Sequence, residues 1–246
     1  MLEFLGLPKS TVIDTKIDKK QFYDQGNLNV TERKTFVNDI EKITWAYRIT
    51  YDTSNIRPFT DETRDYSEIQ VIDVQLRSTE CVTRICDVIM SSFQYMVILV
   101  LRHDNRLKIV MAHKRINQND KSRLVIDEIM SSKWLSEEDP ILRSFDVKDM
   151  RTTNLLDLYS DEYAALTKVN LVMKGFSGDV SSHERSKAIL NEIQKIDEEI
   201  ESLKSQIKKE DHFSRQIELN DKINLLRKRK NRLLDASDIT SNGLSE

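Results

Sequence analysis

Near the C-terminus apolar residues recur at Ile189, Ile193, Ile196, Ile200, Leu203 and Ile207, in steps of four and three that give a helix one apolar seam. No Gly or Pro lies between Val180 and Asn242, so nothing local forbids helix there. Beyond Ile207 the stripe loses phase, the next apolar positions being Phe213, Ile217, Leu219, Ile223, Leu226 and Leu233. The twelve residues from Ile207 to Leu219 fit no run of whole and half heptads. Either the helix carries a phase shift, or it ends near 208–212 and a second helix returns. Charge fits two arrangements. Acidic Asp197, Glu198, Glu199 and Glu201 face basic Arg227, Lys228, Arg229, Lys230 and Arg232 if the chain folds back about His212. They also face one another if two continuous helices from two chains pair antiparallel; such a helix over 184–235 is roughly 75 Å long. Ile189, Ile193, Ile196, Ile200, Leu203, Ile207, Leu219, Ile223, Leu226 and Leu233 are therefore the expected partner-binding residues.

Upstream the periodicity changes. Residues 9–17 alternate weakly and read as a strand or extended arm. Thr31 reads as a helix N-cap, followed by Phe36, Val37, Ile40 and Ile43 at helical spacing. Trp45, Tyr47 and Ile49 then repeat with period two, as in a strand. The polar stretch from Asp52 to Ser67, with Pro58, reads as an exposed loop. Ile69–Leu76 alternates and is rich in β-branched residues, a strand. Val82, Ile85, Val88 and Ile89 give a short amphipathic helix. The run Tyr95–Leu101 is apolar throughout, as in a central strand buried on both faces. A turn at 103–106 leads into a strand from Leu107, and 123–130 adds another. Leu155, Leu158, Tyr159, Tyr163, Leu166 and Val169 outline a helix that ends before Gly175 and Gly178.

This order predicts an α+β fold, a mostly antiparallel sheet with flanking helices and a C-terminal coiled-coil-like helical extension. The expected divisions are an α+β domain at 1–146, a connecting helix and Gly-containing linker at 147–178, a helical hairpin or long coiled-coil helix at 179–236 and a frayed tail at 237–246.

The chain has 246 residues and a formal charge of −3, which excludes a generally basic nucleic-acid binder. Charged residues make up 32%, an excess explained by a helical tail whose narrow seam leaves most of its surface polar. Cys81 and Cys86 match neither zinc nor redox spacing, and two thiols without a leader pattern suit a reducing cytoplasm. No apolar run reaches the ~20 residues of a bilayer span, so no membrane association is expected.

With five glycines there is neither a Walker A loop nor G-x-G-x-x-G. His103, His113, His183 and His212 are scattered, with no ligand spacing among them, and no cofactor or metal is expected. A metal-dependent nuclease core needs an acid on one strand and acid-x-Lys on the next. Its place here would be Gln75-Leu76-Arg77 after Glu68 and Asp73, where Gln is a poor ligand for a hard cation and Arg cannot give up a proton. Lys19, Lys20, Arg48 and Arg77 are candidate nucleic-acid contacts. Trp45, Tyr47 and Arg48 mark a candidate recognition surface, although a Trp in such a position is commonly a core anchor.

The segments Ile17–Tyr23, Phe36–Arg48, Glu68–Val71 with Leu76-Arg77, and Lys209–Asn220 resemble successive motifs of an uncharacterised prokaryotic domain-of-unknown-function family. The chain departs from that pattern at Asp18, where relatives carry Pro, and at Arg77, where they carry Lys. The resemblance implies genes beside SNF2-type helicases and DNA methyltransferases in defence or restriction-modification loci. The expectation is a non-catalytic interaction subunit of a helicase or restriction-type complex. Its partner would be an SNF2-type helicase, a methyltransferase-related subunit or a second copy, with nucleic acid reached through the complex. A divergent Mg²⁺-dependent nuclease and a DNA-binding accessory protein are the alternatives.

Overall fold

β-branched residues crowd the strand positions of the first two-thirds of the chain. The structure is a computed structural model that describes residues 2–25, 28–120, 124–178 and 183–235, and in it those positions form one mixed sheet. In chain order the strands and helices are β1 (Val12–Ile17), α1 (Lys20–Gln25), α2 (Val30–Asp39), β2 (Ile40–Ile49), α3 (Tyr51–Ser54), β3 (Phe59–Thr60), β4 (Asp65–Tyr66) and β5 (Ile69–Leu76). There follow α4 (Val82–Ser92), β6 (Met96–His103), β7 (Arg106–Ile116), β8 (Leu124–Ser131), β9 (Leu135–Ser136), α5 (Leu155–Met173), α6 (His183–Ile207) and α7 (Phe213–Leu234). The strands lie in the order β1-β2-β5-β6-β7-β8, with β9 also paired to β7, while β3 and β4 form a separate ribbon. Among the described strands only β5 and β6 pair in parallel, and α4 supplies the crossover that such a pair needs. The fold is α+β, as the residue pattern predicts.

The chain divides into two compact units, 1–166 and 167–246, at a point inside α5. In the first unit one sheet face packs Ile43, Ile72, Val74, Leu76, Val97, Leu99, Leu101, Val110 and Ala112 against Ile85, Val88 and Ile89 of α4 and against Phe22 and Phe36. The other face carries Val71, Ile98, Val100, Ile109 and Met111, all buried. On that face the hydroxyl of Tyr159 in α5 lies 2.9 Å from the carbonyl oxygens of both Val97 and Ala112. Every residue from Met96 to Leu101 is buried, as the unbroken apolar run requires.

Three local readings are corrected. The spacing of Phe36, Val37, Ile40 and Ile43 suggests one helix, but α2 stops at Asp39 and both isoleucines belong to β2. A β-bulge at 40–42 inserts an extra residue, so Ile40 and Ile43, three apart, both turn inward and imitate helical periodicity. Thr31 is not an N-cap, since α2 already begins at Val30. The stretch 52–67 is not all exposed loop. It holds α3 and the β3–β4 ribbon, and Tyr66 is buried with its hydroxyl 2.6 Å from Nδ1 of His113.

In the second unit α6 and α7 fold back on one another. Ile196, Ile200 and Leu203 of α6 pack with Leu219 and Ile223 of α7, and Ile207, Leu226 and Leu233 close the cluster. The loss of phase after Ile207 is a helix end: α6 stops there and α7 starts at Phe213. Within the turn, Gln216 Nε2 donates to the Glu210 carbonyl at 2.6 Å. The tail read as frayed at 237–246 lies outside the described residues.

Candidate functional site

Strands present alternate residues to opposite faces, so Asp73 and Gln75 of β5 share the face of Val71 and turn away from the α4 side. In register, Thr44 lies opposite Asp73 and Lys42 opposite Gln75 on β2, while Arg102 of β6 lies beside Gln75. Two β-bulges open the sheet at this level, one between Val12 and Thr15 of β1 and one between Trp45 and Tyr47 of β2. The first holds Asp14 at φ 45°, a left-handed conformation uncommon outside Gly, Asn and Asp. Together these strands line a cleft of about 210 Å³ walled by Asp14, Lys42, Thr44, Tyr47, Asp73, Gln75 and Arg102.

Asp73 is buried, and Arg102 closes on it with Nε at 2.8 Å from Oδ1 and Nη2 at 2.5 Å from Oδ2. The pair neutralises a carboxylate that burial alone would penalise, and it fixes the plane of the guanidinium. Lys42, Thr44, Gln75 and Asp14 make no side-chain hydrogen bond among the described residues, so the cleft holds polar groups with capacity to spare. Burial pushes the Tyr47 phenol up from its usual range.

The residues singled out from the sequence do not converge. Glu68 faces away from Asp73: its Oε1 accepts from Gln70 at 2.6 Å and its Oε2 from Arg48 Nε at 2.8 Å. Lys19 Nζ donates to the carbonyls of Val37, at 3.1 Å, and Ile40. Arg77 Nη1 donates to the same Ile40 carbonyl at 2.8 Å, so these two cations brace the α2–β2 junction. Burial, then the charge of Arg77, lowers the Lys19 pKa. Arg48 sits toward the opposite end of β2, bound to Glu68, and Lys20 is exposed. Trp45 packs on the α4 side with Nε1 donating to the Tyr47 carbonyl at 3.0 Å, whereas Tyr47 lines the cleft. Among the described residues no cluster of three or more His, Cys, Asp or Glu could hold a metal ion.

On the hairpin, Ile193 and Leu190 are buried and Ile189 half-buried. The two charge blocks meet at one described pair, Lys230 with Asp197, which Lys174 also bonds. Arg229 bonds Glu192, outside the acidic block, at 2.7 Å, and Glu201 pairs with Lys204 on its own helix. Phe213, Ile217 and Leu225 of α7 remain 74%, 46% and 66% exposed.

Sequence reasoning missed Asp14, Lys42, Thr44 and Arg102. The available signal was parity, since polar Asp73 and Gln75 alternate inside an otherwise apolar central strand. Which residues of β1, β2 and β6 stand beside them depends on register and bulges that the pattern does not carry.

A family profile described as "Domain of unknown function (DUF4391)" matches residues 5–229. No curated protein and no solved structure matches the chain. Among the described residues no helix is long and apolar enough to cross a membrane.

Proposed function

The chain belongs to the family described as a domain of unknown function, DUF4391, and from that premise we propose that it is a non-catalytic interaction subunit that docks through α7. The assembly is a prokaryotic antiviral-defence or restriction-type helicase complex, the setting implied by the family resemblance. The observation that carries this reading is the outer face of α7. Ile217, Asp221, Leu225, Lys228 and Arg232 follow one another in steps of four, four, three and four, and all five are exposed. That stripe lies opposite Leu219 and Ile223, which are spent on α6. Apolar side chains flanked by Lys228 and Arg232 suit a partner helix with an apolar stripe and acidic flanks. The test is co-expression of the full chain with the neighbouring helicase and methyltransferase, followed by size exclusion with light scattering. Co-elution of a stoichiometric complex, lost in the Ile217→Glu, Leu225→Glu double variant with unchanged helicity, supports docking by α7. Co-elution that survives the double variant, or no complex at all, refutes it.

A second reading, Mg²⁺-dependent phosphodiester cleavage, is favoured by Asp73 and Gln75 facing one cleft beside Lys42. Glu68 on the opposite face and Arg102 on both oxygens of Asp73 weigh against it. Metal-stimulated cleavage of DNA that Asp73→Asn abolishes would establish this reading in place of the first.

A further inference from the structure

We propose that the cleft over β1, β2, β5 and β6 is a binding site for the phosphate of a phosphate ester, distinct from the docking face of α7. The free hydrogen-bonding capacity of the cleft is rich in donors. Lys42 and Arg102 stand on either side of Gln75 in the sheet register, so an ammonium, a carboxamide and a guanidinium come from three adjacent strands. Neighbours in such a row have Cβ atoms about 4.5–5.5 Å apart, close enough for several donors to meet one oxyanion. Asp73 spends its oxygens on Nε and Nη2 of Arg102, which leaves Nη1 unbonded among the described residues and held in a fixed plane. Thr44, opposite Asp73, adds a hydroxyl.

Nothing in the packing asks for these residues. Val71 and Val100 on the same face show what a structural role would select, and a carboxylate with its guanidinium in a central strand is a costly substitute for valine. Asp14 gives the site its selectivity. Its carboxylate stands at the cleft wall and makes no hydrogen bond among the described residues. There it accepts from a hydroxyl carried by the ester, a contact that inorganic phosphate seated on the donors does not extend to. The volume of about 210 Å³ is below the ~300–1,000 Å³ of sites that enclose a drug-sized molecule, so the phosphate and its attached sugar enter and the remainder stays outside. A mononucleotide, through its 3′-hydroxyl, and the 5′-phosphorylated end of an RNA strand, through its 2′-hydroxyl, both present this chemistry.

The test is titration of the whole chain in EDTA with matched pairs: dAMP against deoxyadenosine, and a labelled oligoribonucleotide with a 5′-phosphate against the same strand with a 5′-hydroxyl. The phosphorylated member of at least one pair should bind roughly tenfold or more tightly, the worth of one to two charge-assisted contacts. Which pair responds identifies the source of the phosphate. Inorganic phosphate should bind less tightly than the ester, and Asp14→Asn should narrow that gap. Arg102→Gln strands a buried carboxylate and can unfold the sheet, so the deciding variants are Lys42→Met, at an exposed position, and Thr44→Val, an isosteric change. Each should lose affinity by roughly fivefold or more without a change in melting temperature. Equal binding of both members of each pair, unaltered affinity in Lys42→Met, or binding that needs added Mg²⁺ would overturn the proposal. None of these outcomes depends on whether α7 docks a partner.

Discussion

Lys114 of β7 donates its ammonium to the carbonyl oxygen of Met90 at 2.9 Å, in the last turn of α4. It also reaches the carbonyls of Phe93 at 2.7 Å and Tyr95 at 2.9 Å. A strand side chain thus closes the open end of the crossover helix, where the carbonyls lack intrahelical partners. Lys114→Met removes all three bonds and leaves the acceptors buried, so it should lower stability by about 2–4 kcal/mol in denaturant titrations at neutral pH. Loss below about 0.5 kcal/mol, the range of a surface substitution, would mean that other groups satisfy these carbonyls.

The same lysine should leave a signature in pH. Burial pulls it from the ordinary 10.5 down to about 8. Between those values the unfolded chain holds a proton that the folded chain has released, so this group adds stability as pH rises from about 8 to 10.5. Measured against Lys114→Met, the wild-type protein should gain stability across that window, by at most ~3 kcal/mol. A difference that stays flat with pH would place the Lys114 pKa near its ordinary value.

Glu162 of α5 is 1% exposed, and its Oε2 has no hydrogen-bond partner among the described residues. Burial, reinforced by the charges of Asp161 and Asp146, raises its pKa well above the ordinary 4.5. Here the folded state binds the extra proton, so stability is lost as pH rises above the ordinary carboxylate range. Glu162→Gln replaces the acid by a neutral isostere and should stabilise the protein at pH 7, with the gain vanishing near pH 4. Thermal melts of both proteins at the two pH values decide it, and a variant less stable at pH 7 would contradict the raised pKa.

The hairpin offers a contrast between two leucine-sized residues on one helix. Ile223 of α7 is 3% exposed in the cluster with α6, whereas Leu225 is 66% exposed. Ile223→Ala should lower stability by about 2–4 kcal/mol, while Leu225→Ala should change it by less than about 0.5 kcal/mol. Equal effects in circular-dichroism melts would mean that the outer face is covered in the protein alone, by a second copy.

These contrasts mark what periodicity discloses. The heptad from Ile189 to Ile207 and the apolar run ending at Leu101 predict α6 and β6 because each spacing has one physical meaning. Ile40 and Ile43 mislead because a bulge gives a strand the spacing of a helix, and propensity carries no mark of a bulge. The cleft was half legible. Asp73 and Gln75 stand out within β5, but Lys42 and Arg102 are separated from them by 31 and 27 residues, and only the register of three strands joins them. Lys114 was invisible for the same reason, since its acceptors lie in another element.

Asp73 and Arg102 should behave unequally when separated, because their exposures differ: the Arg102 side chain is 30% exposed and that of Asp73 is 11%. Asp73→Val frees a guanidinium that can turn to water, so the loss should be small, about 1 kcal/mol or less. Arg102→Leu strands a carboxylate in a central strand and should be the more damaging change, by roughly 2–4 kcal/mol. The Asp73→Val, Arg102→Leu double variant removes both charges and continues the apolar face of Val71 and Val100. It should therefore be more stable than Arg102→Leu alone, a positive coupling that a double-mutant cycle in urea resolves. Strict additivity of the two losses would mean that the 2.5 Å contact contributes no net interaction energy. A double variant as stable as wild type would show that the pair serves the cleft and leaves the fold unaffected.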